Sequence, residues 1–253
     1  MEAKRRGEYT ATAELLNKAA NLGHADAAAA LGVMYQEGQG VSKNPAAALS
    51  SFTAAAVAGQ PHAMGMVAKY HYEGLGTERN LSQAVYWYRE AALHGILDAQ
   101  VMLGICYHQG QGMPADKQAA FAWLKRGAEG GQLDAMAMLA KLYLEGLGVV
   151  VDVKAAIGWL RAAALREHQG AQFKLGTLLL KGGPDVPADA EAAVSWLRKA
   201  AAAGQPDAMA TLAECYESGL GVEANQAEAL AWWNRAAGLV PHEQAAARPR
   251  PSL

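Results

Sequence analysis

The chain is poor in the residues that usually anchor a covalent framework or a reactive centre. It has two cysteines, three phenylalanines and seven histidines in 253 residues. Cys106 and Cys215 fall in one column of an internal repeat, three units apart. A disulfide requires Cα atoms within about 7 Å, so the two read as small buried apolar side chains and leave the redox compartment open. No sign of charge dominates, since 22 basic and 24 acidic residues give a net charge of −2. That excludes the broad positive field of a nucleic-acid binder. No apolar run approaches the ~20 residues that cross a bilayer, so membrane insertion is not expected. The opening, MEAKRRGEYTATAELL, carries charges with no apolar segment behind them, so no secretory signal is read. The expectation is a cytoplasmic protein, with a periplasmic or secreted one as the alternative if a leader has been removed.

Catalytic signatures are missing too. There is no G-x-S-x-G, S-x-x-K or H-E-x-x-H, and no two histidines stand four residues apart. His71 and His108 lie in adjacent repeat units, but a metal site needs three or four converging ligands. Glu37 and Glu73 share a repeat column and read as a solvated face. No catalytic residue, metal ligand or cofactor is therefore assigned.

What the chain does have is a period. The stretch from Ala99 to Gly112, AQVMLGICYHQGQG, recurs with starts at Ala27, Ala63, Ala135, Ala171 and Ala208, spaced by 36 residues four times and then by 37. A fixed period in this range signals stacked supersecondary units, in which each repeat buries its apolar face against its neighbours. Each unit reads as two helices. In helix A, Ala99, Leu103 and Tyr107 share a face at spacings of four and eight. A small residue (Gly32, Ala68, Gly104, Ala140, Gly176, Ala213) follows the leucine column and permits a close helix approach. Helix A ends on Gly38, Gly74, Gly110, Gly146, Gly182 and Gly219, which suit a left-handed C-terminal cap. Helix B opens on Asn44, Asn80, Asp116, Asp152, Asp189 and Asn225, all good N-caps. The Gly-x-Gly turns lack the preceding strand and the Lys-Ser/Thr pair of a phosphate loop, so they read as structural turns. The column Trp87, Trp123, Trp159, Trp196 and Trp232 reads as core, with Ser51 replacing tryptophan in the first full unit. Trp233 is an exception: it stands in the column of Leu124 and Leu160, with no later helix A to cover it.

The period also sets the boundaries. Residues 1–7 are polar and basic and are expected to fray. A half unit covers 8–23, either a natural cap or the point where a longer chain has been cut, and six full units carry a single solenoid to residue 240. Residues 241–253 lack periodicity and are expected to be a disordered tail. One junction departs from the pattern. Glu167 replaces the glycine that ends the other B helices, the loop KGGPDVPAD loses the second glycine and gains a residue, and Leu179 replaces tyrosine. A change of superhelix curvature is expected there.

The segments LGVMYQEGQGV with AAALSSFTAAAVAG from Ala46, and LGICYHQGQG with AAFAWLKRGAEGG from Ala119, resemble the A…LG..Y..G.G…A…W…AA..G signature of Sel-1-like repeats. These are relatives of tetratricopeptide (TPR) repeats, and the resemblance covers residues 8–240. It implies an all-α fold, a right-handed α-solenoid of antiparallel helix pairs, and an adaptor role rather than an enzyme. The cysteine spacing of the family's disulfide-bearing members is absent. By likeness to TPR repeats, the inner surface is lined by helix A residues two, six, nine and ten places after the starting alanine. The candidates for partner binding are Lys69, Tyr72, Val101, Ile105 and His108, then Lys141, Leu144, Phe173, Leu180 and Lys181. An apolar centre ringed by lysines suits a partner helix or extended peptide with acidic groups. The same side chains would alternatively pack across a tightly wound groove. The expected function is a non-catalytic adaptor or scaffold, in one version a regulatory or immunity protein that blocks its partner. An enzyme or small-ligand receptor using the groove is the alternative.

Overall fold

The computed structural model describes residues 2–183 and 186–238, with side chains from residue 8 onward. The expected tail at 241–253 lies outside the described residues. The described chain is all-α, and in order its helices are α1 (Glu2–Asn21), α2 (Ala25–Glu37), α3 (Pro45–Val57), α4 (Pro61–Glu73), α5 (Leu81–Leu93), α6 (Leu97–Gln109) and α7 (Lys117–Glu129). They continue as α8 (Leu133–Glu145), α9 (Val153–Leu165), α10 (Gln169–Lys181), α11 (Ala190–Ala202), α12 (Pro206–Ser218) and α13 (Gln226–Ala236). No strand forms among the described residues; Gly183 and Val186 make one isolated bridge. The even-numbered helices are the A helices and the odd-numbered ones the B helices, the α-solenoid pattern expected from the sequence. The helical backbone of α1 begins at Glu2, ahead of the half unit expected from residue 8 and within the stretch expected to fray.

Local chemistry fixes these boundaries. Every B-helix cap forms: the side chains of Asn44, Asn80, Asp116, Asp152, Asp189 and Asn225 accept backbone N–H bonds from the first turn of their helices. The same six residues donate their own backbone N–H to the carbonyls of Tyr35, His71, Tyr107, Tyr143, Leu179 and Tyr216, at 2.8–3.0 Å. Each A–B connection is thus closed at both ends by backbone bonds, and the identity of the aromatic side chain does not enter. Gly38, Gly74, Gly110 and Gly219 end their A helices in the left-handed conformation; Gly110 has φ 71 and ψ 34.

The chain divides into two compact units, Met1–Gln132 and Leu133–Leu253. In the first, one apolar cluster runs from Ala28 to Cys106 and includes Phe52, Val67, Tyr88 and Leu103. In the second, Val194, Leu197, Met209, Leu212 and Cys215 form a cluster across α11 and α12. Small residues make the close packing possible. A Cβ added at Gly32, Gly104 or Gly176 would lie 2.7 Å from the side chain of Phe52, Leu124 or Leu197.

The tryptophan column is not the core expected of it. Trp87, Trp123, Trp159, Trp196 and Trp232 are half-buried, whereas the next residue in the first four cases (Tyr88, Leu124, Leu160 and Leu197) is buried. Helices that approach over alanine and glycine leave no room for an indole between them, so the ring lies at the rim. Cations cover its outer face: Arg126 lies 4.6 Å from the Trp123 centroid, Lys199 4.4 Å from Trp196 and Arg235 4.5 Å from Trp232.

Around α10 the backbone departs from the repeat, as the sequence suggested. Glu167 takes the positive φ, 65°, that glycine takes at the equivalent turns. Gly182 keeps a positive φ of 64° but has ψ −168° instead of the left-handed helical value, and Gly183 and Val186 exchange backbone bonds of 2.7 and 3.1 Å. The extra residue is absorbed locally, since the Asp189 cap still forms.

Two outcomes follow for thermal and denaturant melts. Replacing Glu167 by glycine removes a left-handed penalty of roughly 1–2 kcal/mol, partly offset by the greater freedom of glycine in the unfolded chain. A gain of about 1 kcal/mol is expected for Glu167→Gly, raising the melting midpoint by about 2–4 °C; an unchanged or lower midpoint would show that the glutamate side chain compensates. The second contrast uses two positive-φ glycines. At Gly95 nothing lies within 4 Å of where a Cβ would stand, whereas a Cβ at Gly112 would collide with the Leu81 carbonyl. Gly95→Ala should therefore cost about 1 kcal/mol and Gly112→Ala roughly 3 kcal/mol, and equal losses would contradict the close approach.

Candidate functional site

The ten candidate residues fall five in each compact unit, and each unit presents its own set. On α4, Lys69 is exposed and Tyr72 half-buried one turn later. Tyr72 is firmly held. Its ring packs edge-on to Tyr88 with centroids 6.2 Å apart, and its hydroxyl donates to Gln111 Oε1 at 2.8 Å. The Arg79 guanidinium lies 5.5 Å from the ring centroid, and its Nε donates to the Tyr72 carbonyl at 2.9 Å. On α6, Ile105 and His108 are half-buried. Val101 is only 9% exposed and belongs to the core, so it offers a partner little surface. The Lys117 ammonium donates to the His108 carbonyl and lies 3.5 Å from its Nδ1, which fixes the end of α6.

In the second unit, Lys141 on α8 forms an exposed pair with Glu145 at 3.8 Å, and Leu144 beside it is half-buried. On α10, Phe173 and Leu180 are half-buried and pack against the α11–α12 cluster, while Lys181 is exposed. The other face of the same helix is sealed, with Ala171, Leu175, Gly176 and Leu179 buried. Helix α10 therefore separates repeat-defining residues, all inside, from individual ones left partly in solvent.

Sequence reasoning did not find Arg79 and Gln111, the residues that orient Tyr72. Gln111 stands mid-turn, as Gln39 does, but Leu75 and Leu147 take that place in other units, and Arg79 has alanine at its counterpart Ala115, so the period gives no signal of their contact with Tyr72. It also missed two buried amides, Gln100 and Gln172, which stand in one column and donate to the carbonyls of Ala92 and Ala164 at 3.2 and 3.1 Å. Each adds a second bond to a carbonyl in the last turn of the preceding B helix, which already accepts from the backbone N–H of Gly95 or Glu167.

The titratable groups in the core are held in neutral forms. Burial pushes the Cys106 thiol up to about 11, and burial together with nearby Glu214 raises that of Cys215. Both are thiols rather than nucleophilic thiolates near neutral pH. Burial lowers His71, whose Nδ1 has no hydrogen-bond partner among the described residues. Burial also raises Tyr70 and Tyr88. Among the described residues no group of three or more His, Cys, Asp or Glu converges to hold a metal ion, and no helix is long and apolar enough to cross a membrane. The Gly-x-Gly turns act as caps; the Gly110 N–H, for example, bonds to the Cys106 carbonyl at 2.8 Å.

Comparison with known proteins agrees with this geometry. The Sel1 repeat matches seven segments, at 9–24, 25–56, 61–96, 97–132, 133–168, 170–205 and 206–239. No curated protein matches the chain. Among solved structures, a protective antigen of uropathogenic Escherichia coli strains with an SLR fold is 30% identical with a TM-score of 0.85, over 90% of this chain and 48% of that one. The chain thus spans about half the length of that protein. A Sel1 repeat protein from Oxalobacter formigenes is 32% identical with a TM-score of 0.73, over 87% of this chain and 89% of that one. Sel1 repeat proteins are generally protein-interaction scaffolds. With the repeat matched from residue 9 to residue 239 and the helix pairs arranged as in these structures, the chain belongs to the Sel1 repeat family.

Proposed function

We propose that the chain is a non-catalytic adaptor that binds a partner protein through the individual positions of its A helices. One observation carries this reading: on α10, Phe173 and Leu180 remain half-exposed beside exposed Lys181, while every repeat-defining position of that helix is sealed. Apolar side chains left partly in water beside a cation form a binding surface for a helix or extended segment with apolar anchors and acidic flanks. Fully burying one large apolar side chain contributes about 1.5–3 kcal/mol, so a few such contacts per unit suffice for specific capture. The exposed Lys141–Glu145 pair contributes little to stability, which leaves Lys141 available to a competing acid.

The finer reading is that binding blocks the partner, as a regulatory or immunity protein would, in the cytoplasm. The family resemblance suggests it, and an inhibition assay on the captured partner distinguishes it from passive scaffolding. The enzyme alternative lacks a comparable observation, because the two thiols are buried and protonated.

The test is affinity capture from the native cell extract with wild type and two variants, Leu144→Asp and Lys181→Glu. Lys181 is exposed and Leu144 half-buried, so far-UV helicity and melting midpoint should stay near wild type while partner recovery falls about tenfold or more, as for an interface hot spot. Undiminished capture by both folded variants places the binding surface elsewhere. Phe173→Asp is a harsher change, because Phe173 also packs on the α11–α12 cluster; loss of helicity in that variant reads as core damage.

A further inference from the structure

We infer that Tyr86 and Trp87 on α5, with Glu90 one turn later, form a docking site for an arginine side chain of a partner protein. The comparison that leads there is internal to the repeat. Three tryptophans of the Trp87 column are covered by a cation three residues later on the same helix: Arg126 over Trp123, Lys199 over Trp196 and Arg235 over Trp232. Three residues after Trp87 stands Glu90, a carboxylate in the place of the cation. The residue before the tryptophan departs as well. Tyr86 fills a column that holds only small residues elsewhere, namely Ser50, Ala122, Gly158, Ser195 and Ala231. Its ring stands edge-on to the indole, with centroids 5.1 Å apart and planes at 79°, and it is 53% exposed. Spacings of three and four residues put both rings and the carboxylate on one side of the helix.

This face lies within the first compact unit and not at an end of the chain. Helix α5 packs on α4 before it and α6 after it, and the inner side of Trp87 rests on the core cluster of that unit. Among the described residues no cation lies over the Trp87 ring, and Glu90 forms no ion pair. The adjacent Arg89 is engaged elsewhere, donating to the Tyr107 hydroxyl at 3.0 Å.

Charge complementarity selects the occupant. The indole face attracts a cation through its ring quadrupole, and Glu90 adds a negative charge where the other units supply a positive one. A guanidinium satisfies both, because its flat face stacks on a ring while its fork of N–H groups donates to a carboxylate. The chain's own Arg126 and Arg235 show that this group seats on rings of this column, at 4.6 and 4.5 Å. A quaternary ammonium has no N–H for Glu90 and is held by a cage of rings, whereas two rings stand here. One arginine is a modest anchor, so the site is one point of a larger interface, and arginine is among the residues that dominate such interfaces. It is separate from the A-helix positions proposed above, and its failure leaves that reading untouched.

The experiment titrates N-acetyl-arginine methylamide into the full ¹⁵N-labelled chain and follows the tryptophan indole resonances, with Trp87 assigned through Trp87→Phe. The Trp87 resonance should shift saturably with a dissociation constant on the order of 10 mM, while those of Trp123, Trp159, Trp196 and Trp232 stay in place. Glu90→Arg restores the cation of the column and should abolish the shift. Glu90→Gln should weaken binding about threefold or more, and N-acetyl-lysine methylamide should bind wild type more weakly by a similar factor. Both variants should keep the helicity and melting midpoint of wild type. Absence of a saturable shift, equal shifts at the other tryptophans, or undiminished binding by Glu90→Gln overturns the proposal. Tetramethylammonium binding as tightly as the arginine probe also overturns it, assigning the site to a small quaternary ammonium. So does movement of the Trp87 resonance when residues 241–253 are removed with no probe present, which would give the site to the chain's own Arg248 or Arg250.

Discussion

Backbone-to-backbone approach at the A–B turns sets the architecture. At three of these turns the second glycine lies where a Cβ would strike the first turn of a preceding B helix: Gly76 meets Pro45 and Ala46, Gly112 meets Leu81, and Gly221 meets Ala190. Gly40 meets α1 in the same manner, at Tyr9 and Thr10. Each contact fixes how far one unit sits from the one before it, and therefore which side chains fit between them. Alanine and glycine follow as the small columns, and one or two bulky residues on each of α3, α5, α7, α9 and α11 fill the remaining space. The abundance of alanine is thus a packing requirement that also favours the helix, since alanine loses no side-chain entropy on ordering. The bulk that stabilises each unit comes from a short set of residues such as Phe52, Leu103, Leu124 and Leu197, all buried. No unit has enough of them to stand alone, and stacking supplies the rest.

Because these constraints act on the backbone and repeat every unit, they are visible in the sequence. The six N-caps, the helix-ending glycines and the small column all follow from residue type and spacing, and each has its geometric counterpart. Glu167 stands out because glycine is missing, and its positive φ shows that the position demands the conformation whatever residue occupies it. Where spacing alone decides, the reading slips. Trp123 and Leu124 are adjacent, about 100° apart around the helix, and an apolar pattern cannot say which of two neighbours points inward. Size decides it, since only the leucine fits over Gly104. The candidate surface is legible to the same degree. Lys69, Lys141 and Lys181 are exposed and Phe173, Leu144 and Leu180 half-exposed, but Val101 turns into the core. Arg79 and Gln111, which hold Tyr72, are tertiary partners that no period encodes.

A solenoid of this kind separates its tasks by position. Columns that repeat maintain the stack, so a side chain that recurs in every unit carries little information about a partner. Those that differ are freed from packing and can be matched to a ligand one unit at a time. The separation is incomplete at Phe173, which both packs on the α11–α12 cluster and shows a face to solvent. A partner covering it would also cover part of the second unit's core. Binding there and local stability are therefore linked, because a ligand that binds only the folded state stabilises it in proportion to its affinity and concentration.

The same logic explains why the last described helix differs from its predecessors. A B helix must satisfy two neighbours, the A helix of its own unit and the A helix that follows. On α11 both sides are occupied, and Leu197, between them, has no exposure. Among the described residues only one side of α13 is occupied, and the residue in the same column is a tryptophan, 39% exposed. Tryptophan is the side chain best suited to half-covered sites, since it offers a large apolar surface together with a polar N–H. Leu230, on the open side, has no such polar group to justify its position in water. A bulky residue at Trp233 and an aliphatic one at Leu230 are the composition of a covered column, although among the described residues no A helix lies over them.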